Sequence, residues 1–399
     1  MASLFLLIGL LAQPAVTAAE AERLARSGQT AEALAAFEAI ASQEANDLDS
    51  RVWIGRLLSR LGRVAEAEAT YRQVIAADPR HVDARVGLAG VLLNASRVDD
   101  ALAVVAEAER LDPESSDVLG VKARALRRAG RTTEALAAFE GAAARAPDDP
   151  DLQWGLEQTR RQVAHRVDAA LARELYDDDL PPATIVDAVG DLFLDDAVRL
   201  SGRLQVQDRF GVTEARGGGG LEVRVGRALL TRAAVLVSPG ADLVAQADVV
   251  GEVEWLRPRV QPALSVRYLD FAGAHVLVLG PSVTWDVSDV VAVIGRYYRS
   301  QSRFVLSGRT TGDNSALAGI RWRALPRMWL SGTYAYGIES FETASIDRFG
   351  QLRAHTLGGG VRFDLRTGTT LSLSPEYQWR SGDRRLIRIT LAVSQHFGN

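Results

Sequence analysis

The chain has 399 residues, 47% hydrophobic and 24% charged, which is enough for two or three domains and too apolar for wholesale disorder. Its formal charge of -4 gives no polyanion-binding signature and argues against a nucleic-acid partner, while the lack of cysteine excludes disulfides, cysteine-ligated metals and thiol catalysis. No apolar run of about 18 residues follows the N-terminus, which excludes a bundle of membrane helices but leaves a membrane β-barrel open.

Residues 1–19 place an apolar core, Leu4 to Leu11, before Pro14 and the small-residue stretch Val16-Thr17-Ala18-Ala19. This reads as a secretory signal cut after Ala18 or Ala19. An ordinary apolar helix is the alternative, since no Lys or Arg precedes the core.

Residues 20–167 repeat with a period of 34, which aligns Gly28, Gly62, Ser96 and Gly130, then Ala33, Ala67, Ala101 and Ala135. Two further columns are Phe37, Tyr71, Val105 and Phe139, and Ala45, Pro79, Pro113 and Pro147. A helical hairpin explains each column. A small residue ends the first helix, Ala permits close packing, a bulky residue fills the gap, and Pro stops the second helix. Each unit then buries its face against the next as an α-solenoid. A following helix with Trp154, Leu156, Arg160, Arg161 and Gln162 reads as its cap.

Spacing and columns resemble the tetratricopeptide repeat (TPR). That resemblance implies a concave groove, lined by the first helix of each hairpin, that binds a protein or peptide. On this sequence the groove includes Arg56, Ser59, Asn94, Arg124 and Arg127. They form either a site for an acidic segment or a plain solvated face.

Residues 168–196, with Asp177-Asp178-Asp179 and Pro181-Pro182, read as a linker. From 197 to 399 the period becomes two: Val198, Leu200, Leu204 and Val206 alternate with Arg199, Ser201, Arg203, Gln205 and Gln207. About twelve such strands are expected, from 197–208 through 290–300 and 315–324 to 385–397. Short connections at Gly226, Arg257-Pro258, Ser288-Asp289, Leu325-Pro326 and Thr367-Gly368 alternate with others. The longest of those are expected over Val212–Gly219, Ser302–Asn314 and Glu339–Gln351. This is the rhythm of an antiparallel transmembrane β-barrel with periplasmic turns and outer loops. Both ends of an even-stranded barrel face the periplasm, so the repeats are expected there. Trp255, Trp285, Trp322, Tyr268, Tyr336, Tyr377 and Trp379 on the apolar face suit an aromatic girdle against outer-membrane lipid. A soluble β-sandwich with the same alternation is the competing fold.

Tyr268-Leu269-Asp270-Phe271-Ala272-Gly273, Val283-Thr284-Trp285 and Gly295-Arg296-Tyr297-Tyr298 together resemble the YaiO family of outer-membrane barrels. Repeats ahead of a barrel also resemble the exopolysaccharide exporters of cellulose and poly-N-acetylglucosamine systems. The fold class is therefore α + β multidomain, and the expected role is envelope export or assembly. The alternative is a closed barrel that anchors a docking scaffold.

Pointing inward, the polar faces would gather Arg199, Arg203, Arg224, Arg267, Arg321, Arg362, Arg380 and Arg388 beside Asp248, Glu252, Glu254, Asp364 and Glu376. Such charges either pair and fill the lumen or steer an anionic polymer or polysaccharide. A barrel-wall lipid-modifying enzyme would need His275 or His355, yet no G-x-S-x-G elbow is present, so no catalytic residue, metal or cofactor is expected. The glycine run Gly217 to Gly220 reads as a flexible loop.

Overall fold

The computed structural model describes residues 17–398 except 45, 178–179, 289, 339–352, 366–367 and 382–383. The apolar core of the expected signal, the aspartates 178–179 and the expected long loop 339–351 lie outside the described residues. Two compact units divide at Thr159 and Arg160.

The first unit is helical: α1 (Ala18–Arg26), α2 (Thr30–Gln43), α3 (Leu48–Arg60), α4 (Val64–Ala77), α5 (Val82–Asn94), α6 (Val98–Leu111), α7 (Ser116–Arg128), α8 (Thr132–Arg145) and the start of α9 (Pro150–Val163). Each hairpin turns on the small-residue column. Gly28, Gly62 and Gly130 take φ of +83°, +76° and +78°, and the amide after each reaches back to a carbonyl near the helix end. Arg63 N donates to Leu58 O at 2.9 Å and Arg131 N to Leu126 O at 3.0 Å, the left-handed helix ending that favours glycine. Ser96 adopts φ 60° in the third unit, where its Cβ is strained.

The bulky column packs into glycines of the facing helices. A Cβ at Gly55 or Gly87 would lie 2.8 or 2.3 Å from the Tyr71 ring, and one at Gly155 would lie 2.4 Å from Phe139. Tyr71 and Phe139 are buried as a result, and burial pushes the Tyr71 hydroxyl pKa up to about 12. Successive units are also stapled by arginine. Arg60 donates to Ala25 O at 3.2 Å, and Arg128 donates in the same way to Leu93 O.

The second unit is a closed barrel in which each of fourteen antiparallel strands pairs with its chain neighbours and β1 pairs with β14. The strands are β1 (His165–Tyr176), β2 (Ala183–Phe193), β3 (Val198–Arg209), β4 (Val212–Val225), β5 (Leu229–Val237), β6 (Ala247–Trp255) and β7 (Val260–Phe271). They continue as β8 (Ala274–Ser288), β9 (Val291–Phe304), β10 (Thr310–Leu325), β11 (Met328–Ile338), β12 (Arg353–Asp364), β13 (Thr369–Arg380) and β14 (Arg384–Phe397).

The expected strand count of about twelve is corrected to fourteen, because the presumed linker 168–196 is mostly β1 and β2. Its aspartates and prolines mark only the connection 177–182. Small residues on both faces of β1, among them Ala169, Ala170 and Ala172, hide its alternation, and β2 is apolar on both faces at Ile185 and Val186. The glycine run is likewise strand rather than loop. A Cβ at Gly218 would lie 1.9 Å from Val235 O and one at Gly220 2.6 Å from Ser201 Oγ, so close approach of neighbours demands glycine inside β4. The presumed loop 302–314 shrinks to a turn at 305–309 between β9 and β10.

Connections at the end where β1 begins and β14 stops, the entry end, are short: 194–197, 226–228, 256–259, 289–290, 326–327 and 365–368. Those at the far end vary from 210–211 and 272–273 to 238–246 and 339–352.

The β1–β14 seam is closed by charge as well as by its ladder. Glu174 faces Arg388 in register and accepts from its Nη2 at 2.5 Å and Nε at 3.0 Å. It also accepts from Arg209 Nη2 at 2.7 Å and the Tyr176 hydroxyl at 2.5 Å. Glu174 and Arg209 are fully buried.

Ser96→Gly should stabilise the helical unit by about 0.5–1 kcal/mol, relief of left-handed strain exceeding the entropy glycine adds to the unfolded chain; equal urea midpoints for variant and parent would contradict the strain. Glu174→Ala removes the buried carboxylate that Arg209 and Arg388 share and should cost about 3–5 kcal/mol, whereas Glu222→Ala at a partly exposed pair should cost under about 1 kcal/mol. Urea unfolding, followed by tryptophan fluorescence, measures both carboxylate variants.

Candidate functional site

Two surfaces could act: the inner layer of the helical unit and the barrel interior. All five groove positions lie on first helices of hairpins, Arg56 and Ser59 on α3, Asn94 on α5, and Arg124 and Arg127 on α7. These helices pack side by side, α3 on α5 and α5 on α7, so the positions share one layer. Arg56 lies over the Trp53 ring at 5.3 Å and 3.8 Å from Asp83, and Trp53 stacks on Phe37 at 5.4 Å. Arg127 lies over Phe139 and Trp154 at 5.4 and 5.8 Å. Burial lowers the pKa of Arg124 and Arg127 from the ordinary value, and Arg128 adds to the effect at both. Neither makes an ion pair with a described residue, so the α7 surface offers two partly desolvated cations beside the half-exposed Trp154. Ser59 is half-buried, and Asn94 is exposed at the end of α5.

In the barrel, alternate residues divide cleanly. One face exposes large apolar side chains, including Leu204 at 67%, Leu391 at 54% and Leu357 at 52%. The other holds the buried Glu174 and Arg209 and is the inward face. Arg199, Arg203, Arg267, Arg321, Arg362, Glu376, Arg380 and Arg388 all occupy inward positions by register.

The inward charges form two populations. On β1–β7 most are paired, Arg224 on β4 being the exception among the described residues. Arg203 binds Asp187 at 2.7 and 2.8 Å, Arg267 binds Asp248 at 2.6 and 2.7 Å, and Arg199 stands 3.9 Å from Glu222. Arg232 reaches Glu222, Glu252 and Glu254 at 2.8, 2.6 and 2.9 Å. A cavity of about 590 Å³ at the entry end is lined by Arg199, Glu222, Arg232 and Glu252, with Arg161, Arg166 and His396. On β13 and β14, Glu376 lies 3.3 Å from Arg388, while Arg380 donates to Gln378 at 3.2 and 3.3 Å.

On β10–β12 the arrangement differs. Arg321, Arg323 and Arg362 surround the inward Trp329 with guanidiniums 5.8, 5.7 and 5.6 Å from its ring. Arg362 has Asp364 at 3.3 Å, and Arg321 makes no ion pair with a described residue. Beside this cluster the inner wall is small: Gly319, Ser331, Thr333, Gly358, Gly360 and Ser374. The interior is thus filled by paired charge on one wall and cleared by small residues on the other.

At the far end the connection 238–246 turns inward. Glu214 accepts the backbone amides of Asp242, Leu243 and Val244 at 2.7, 2.8 and 3.0 Å. Ala245 packs with the inward Leu269, Phe271, Val276 and Val278. Sequence reasoning missed this loop, since nothing local announces that Glu214 will hold it. It missed Asp187 with the presumed linker, and Trp329 because its face was not assigned.

The two candidate histidines lie on the outward face. His275 Nδ1 is 2.7 Å from Asp270 and 3.2 Å from the Tyr268 hydroxyl, and His355 Nδ1 is 2.7 Å from the Tyr334 hydroxyl. Among the described residues no cluster of three or more His, Asp or Glu could hold a metal ion.

Tetratricopeptide-repeat family models match residues 54–116 and 121–156, and a second such model matches 24–78. Similar solved structures include a thermophilic TPR protein of Thermus thermophilus, 22% identical over 36% of this chain and 78% of that one, with a TM-score of 0.34. MamA of Desulfovibrio magneticus is also 22% identical, over 36% and 80% of the two chains, with a TM-score of 0.31. No curated protein matches this chain. The N-terminal region therefore carries tetratricopeptide repeats, joined to a closed fourteen-stranded antiparallel barrel.

Proposed function

We propose that this is a Gram-negative outer-membrane protein. Its barrel spans the outer membrane, and its repeats, in the periplasm, recruit a protein or peptide partner for envelope export or assembly, such as exopolysaccharide secretion. The outward face of the barrel carries this reading. It presents one apolar band bounded by aromatic residues: Trp255, Trp285, Trp322, Phe363 and Phe397 toward the entry end, and Tyr268, Tyr297, Tyr334, Tyr336 and Trp379 toward the far end. On β8, Trp285 and Leu277, the partner of Tyr268, are eight residue steps apart (285 - 277). At about 3.3 Å per residue and a tilt of about 40°, that is roughly 20 Å of height, near the ~25 Å band of outer-membrane barrels. Short entry-end turns, the kind outer-membrane barrels carry on their periplasmic side, support a periplasmic N-terminal side.

Kinship with YaiO-family barrels belongs to the same proposal, as does an anionic polymer or polysaccharide as cargo. The second rests on the three arginines around Trp329 and the small-residue wall beside them, which leave space and positive charge on the same strands. A barrel of fourteen strands is narrower than the porins that leave a broad aqueous channel. The inward 238–246 connection favours a second reading, a closed barrel that anchors a docking scaffold.

Enrichment in the outer-membrane fraction, with faster gel migration before boiling than after, is the expected result for the barrel. A soluble protein without a heat shift would overturn the membrane assignment. For the lumen, Glu214→Ala should release the 238–246 connection and raise conductance several-fold in a planar bilayer. Silence from both parent and variant would favour the closed anchor.

A further inference from the structure

Beyond Tyr297 the outward positions of β9 change character, from Val291 and Val293 to Arg299, Gln301 and Arg303. Entry-end outward positions carry Trp255, Trp285 and Trp322 instead. Like Arg173, Arg353 and Arg385 on other strands, these two arginines stand toward the far end of an outward face whose middle is apolar. A guanidinium on the lipid side costs about 2–4 kcal/mol at the midplane and falls to about 0–1 kcal/mol near the interface, so these groups belong at headgroup level. Neither Arg299 nor Arg303 makes an ion pair with a described residue. The nearby Asp270 is held by His275 at 2.7 Å.

The surface around Arg299 is shaped. A groove of about 290 Å³ is lined by Leu277 and Leu279 of β8, Arg299 and Gln301 of β9, and Thr310 and Gly312 of β10. Gly312 makes room for the guanidinium, since a Cβ there would lie 2.7 Å from Arg299 Nη2. Asn314 Oδ1 accepts from Arg299 Nη1 at 3.1 Å and from the Tyr297 hydroxyl at 2.6 Å. This fixes one edge of the guanidinium and leaves the other for a ligand. Arg303 follows four positions along β9, opposite His275 on β8 and Thr310 on β10.

We propose that this groove binds the phosphorylated headgroup of a lipid in the far leaflet, the outer one in the membrane orientation proposed above, on which this inference rests. Arg299 and Arg303 take the phosphate through charge-assisted hydrogen bonds. Gln301 and Thr310 add neutral donors, and Leu277 and Leu279 receive the first methylenes of the acyl chain.

The test titrates the full-length protein in detergent with bisphosphorylated lipid A, with dephosphorylated lipid A and with inorganic phosphate, and reads bound species by native mass spectrometry. The parent should hold the phosphorylated lipid at least tenfold more tightly than the dephosphorylated one. Combined Arg299→Gln and Arg303→Gln should lose that preference, while Arg173→Gln on the outward face of β1 should keep it. Gly312→Val, checked for folding by its heat shift, should weaken binding by blocking the groove. Equal retention of both lipids, or an unchanged preference in the double variant, overturns the proposal. Inorganic phosphate binding as tightly as the lipid would overturn the lipid assignment. A heat-modifiable barrel without lipid discrimination refutes this site alone; a protein with no heat shift refutes the membrane reading and this site with it.

Discussion

Closure of β1 on β14 is the constraint from which the rest of the barrel follows. Once a sheet closes it has no edge, and every residue along every strand must face either in or out. A one-residue slip at any pairing would reverse the faces of a whole strand, so the alternation of each strand must agree with both neighbours. Glu174 enforces that agreement at the seam. It can accept from Arg388 on β14 and from Arg209 on β3 only when all three side chains point inward. Buried ion pairs of this kind contribute little net stability over an apolar filling, but a register that left one partner alone would be strongly penalised. Their value here lies in selecting one register.

The helical unit reaches order by a different route. Its contacts join neighbouring hairpins, so the same few interactions recur at each step. A left-handed residue ends the first helix, and a ring from the second helix enters the hollow left by glycines. Tyr71 shows the economy of the scheme, touching both α3 and α5 at positions where any side chain would collide with it. Arg60 and Arg128 add donors for carbonyls at the end of the preceding first helix, groups that helix geometry leaves unsatisfied.

This difference in route explains what the sequence disclosed. Local contacts repeat along the chain, so the columns headed by Gly28, Ala33 and Phe37 stand out in the sequence, each with a physical role. Strands from β3 onward were legible where large apolar and charged residues alternate, as at Val198–Arg209. The pattern failed where a face was filled by alanine or where both faces were apolar, as in β1 and β2. It failed again at Gly217–Gly220, since the atoms that forbid a Cβ there belong to strands β3 and β5. The inward arginines could be listed from their parity alone. Their partners could not, because pairing depends on which strands become neighbours and on how far each is staggered.

That stagger gives the interior its asymmetry. If the inward charges merely filled space, arginines and carboxylates would be spread evenly around the wall. Instead Arg203, Arg232 and Arg267 each meet carboxylates on β1–β7, and the inward connection 238–246 lies over that side. The opposite wall combines Gly319, Gly358 and Gly360 with Ser331 and Ser374, and its arginines gather on an aromatic ring. Three like charges around Trp329 repel one another, and the quadrupole of the ring offsets only part of that cost. Arg362 has Asp364 at 3.3 Å, but Arg321 makes no ion pair with a described residue, an arrangement that filling for stability alone does not call for. Small residues and positive charge coincide on β10–β12, and an anion held there by guanidinium groups would meet both the charge requirement and the space.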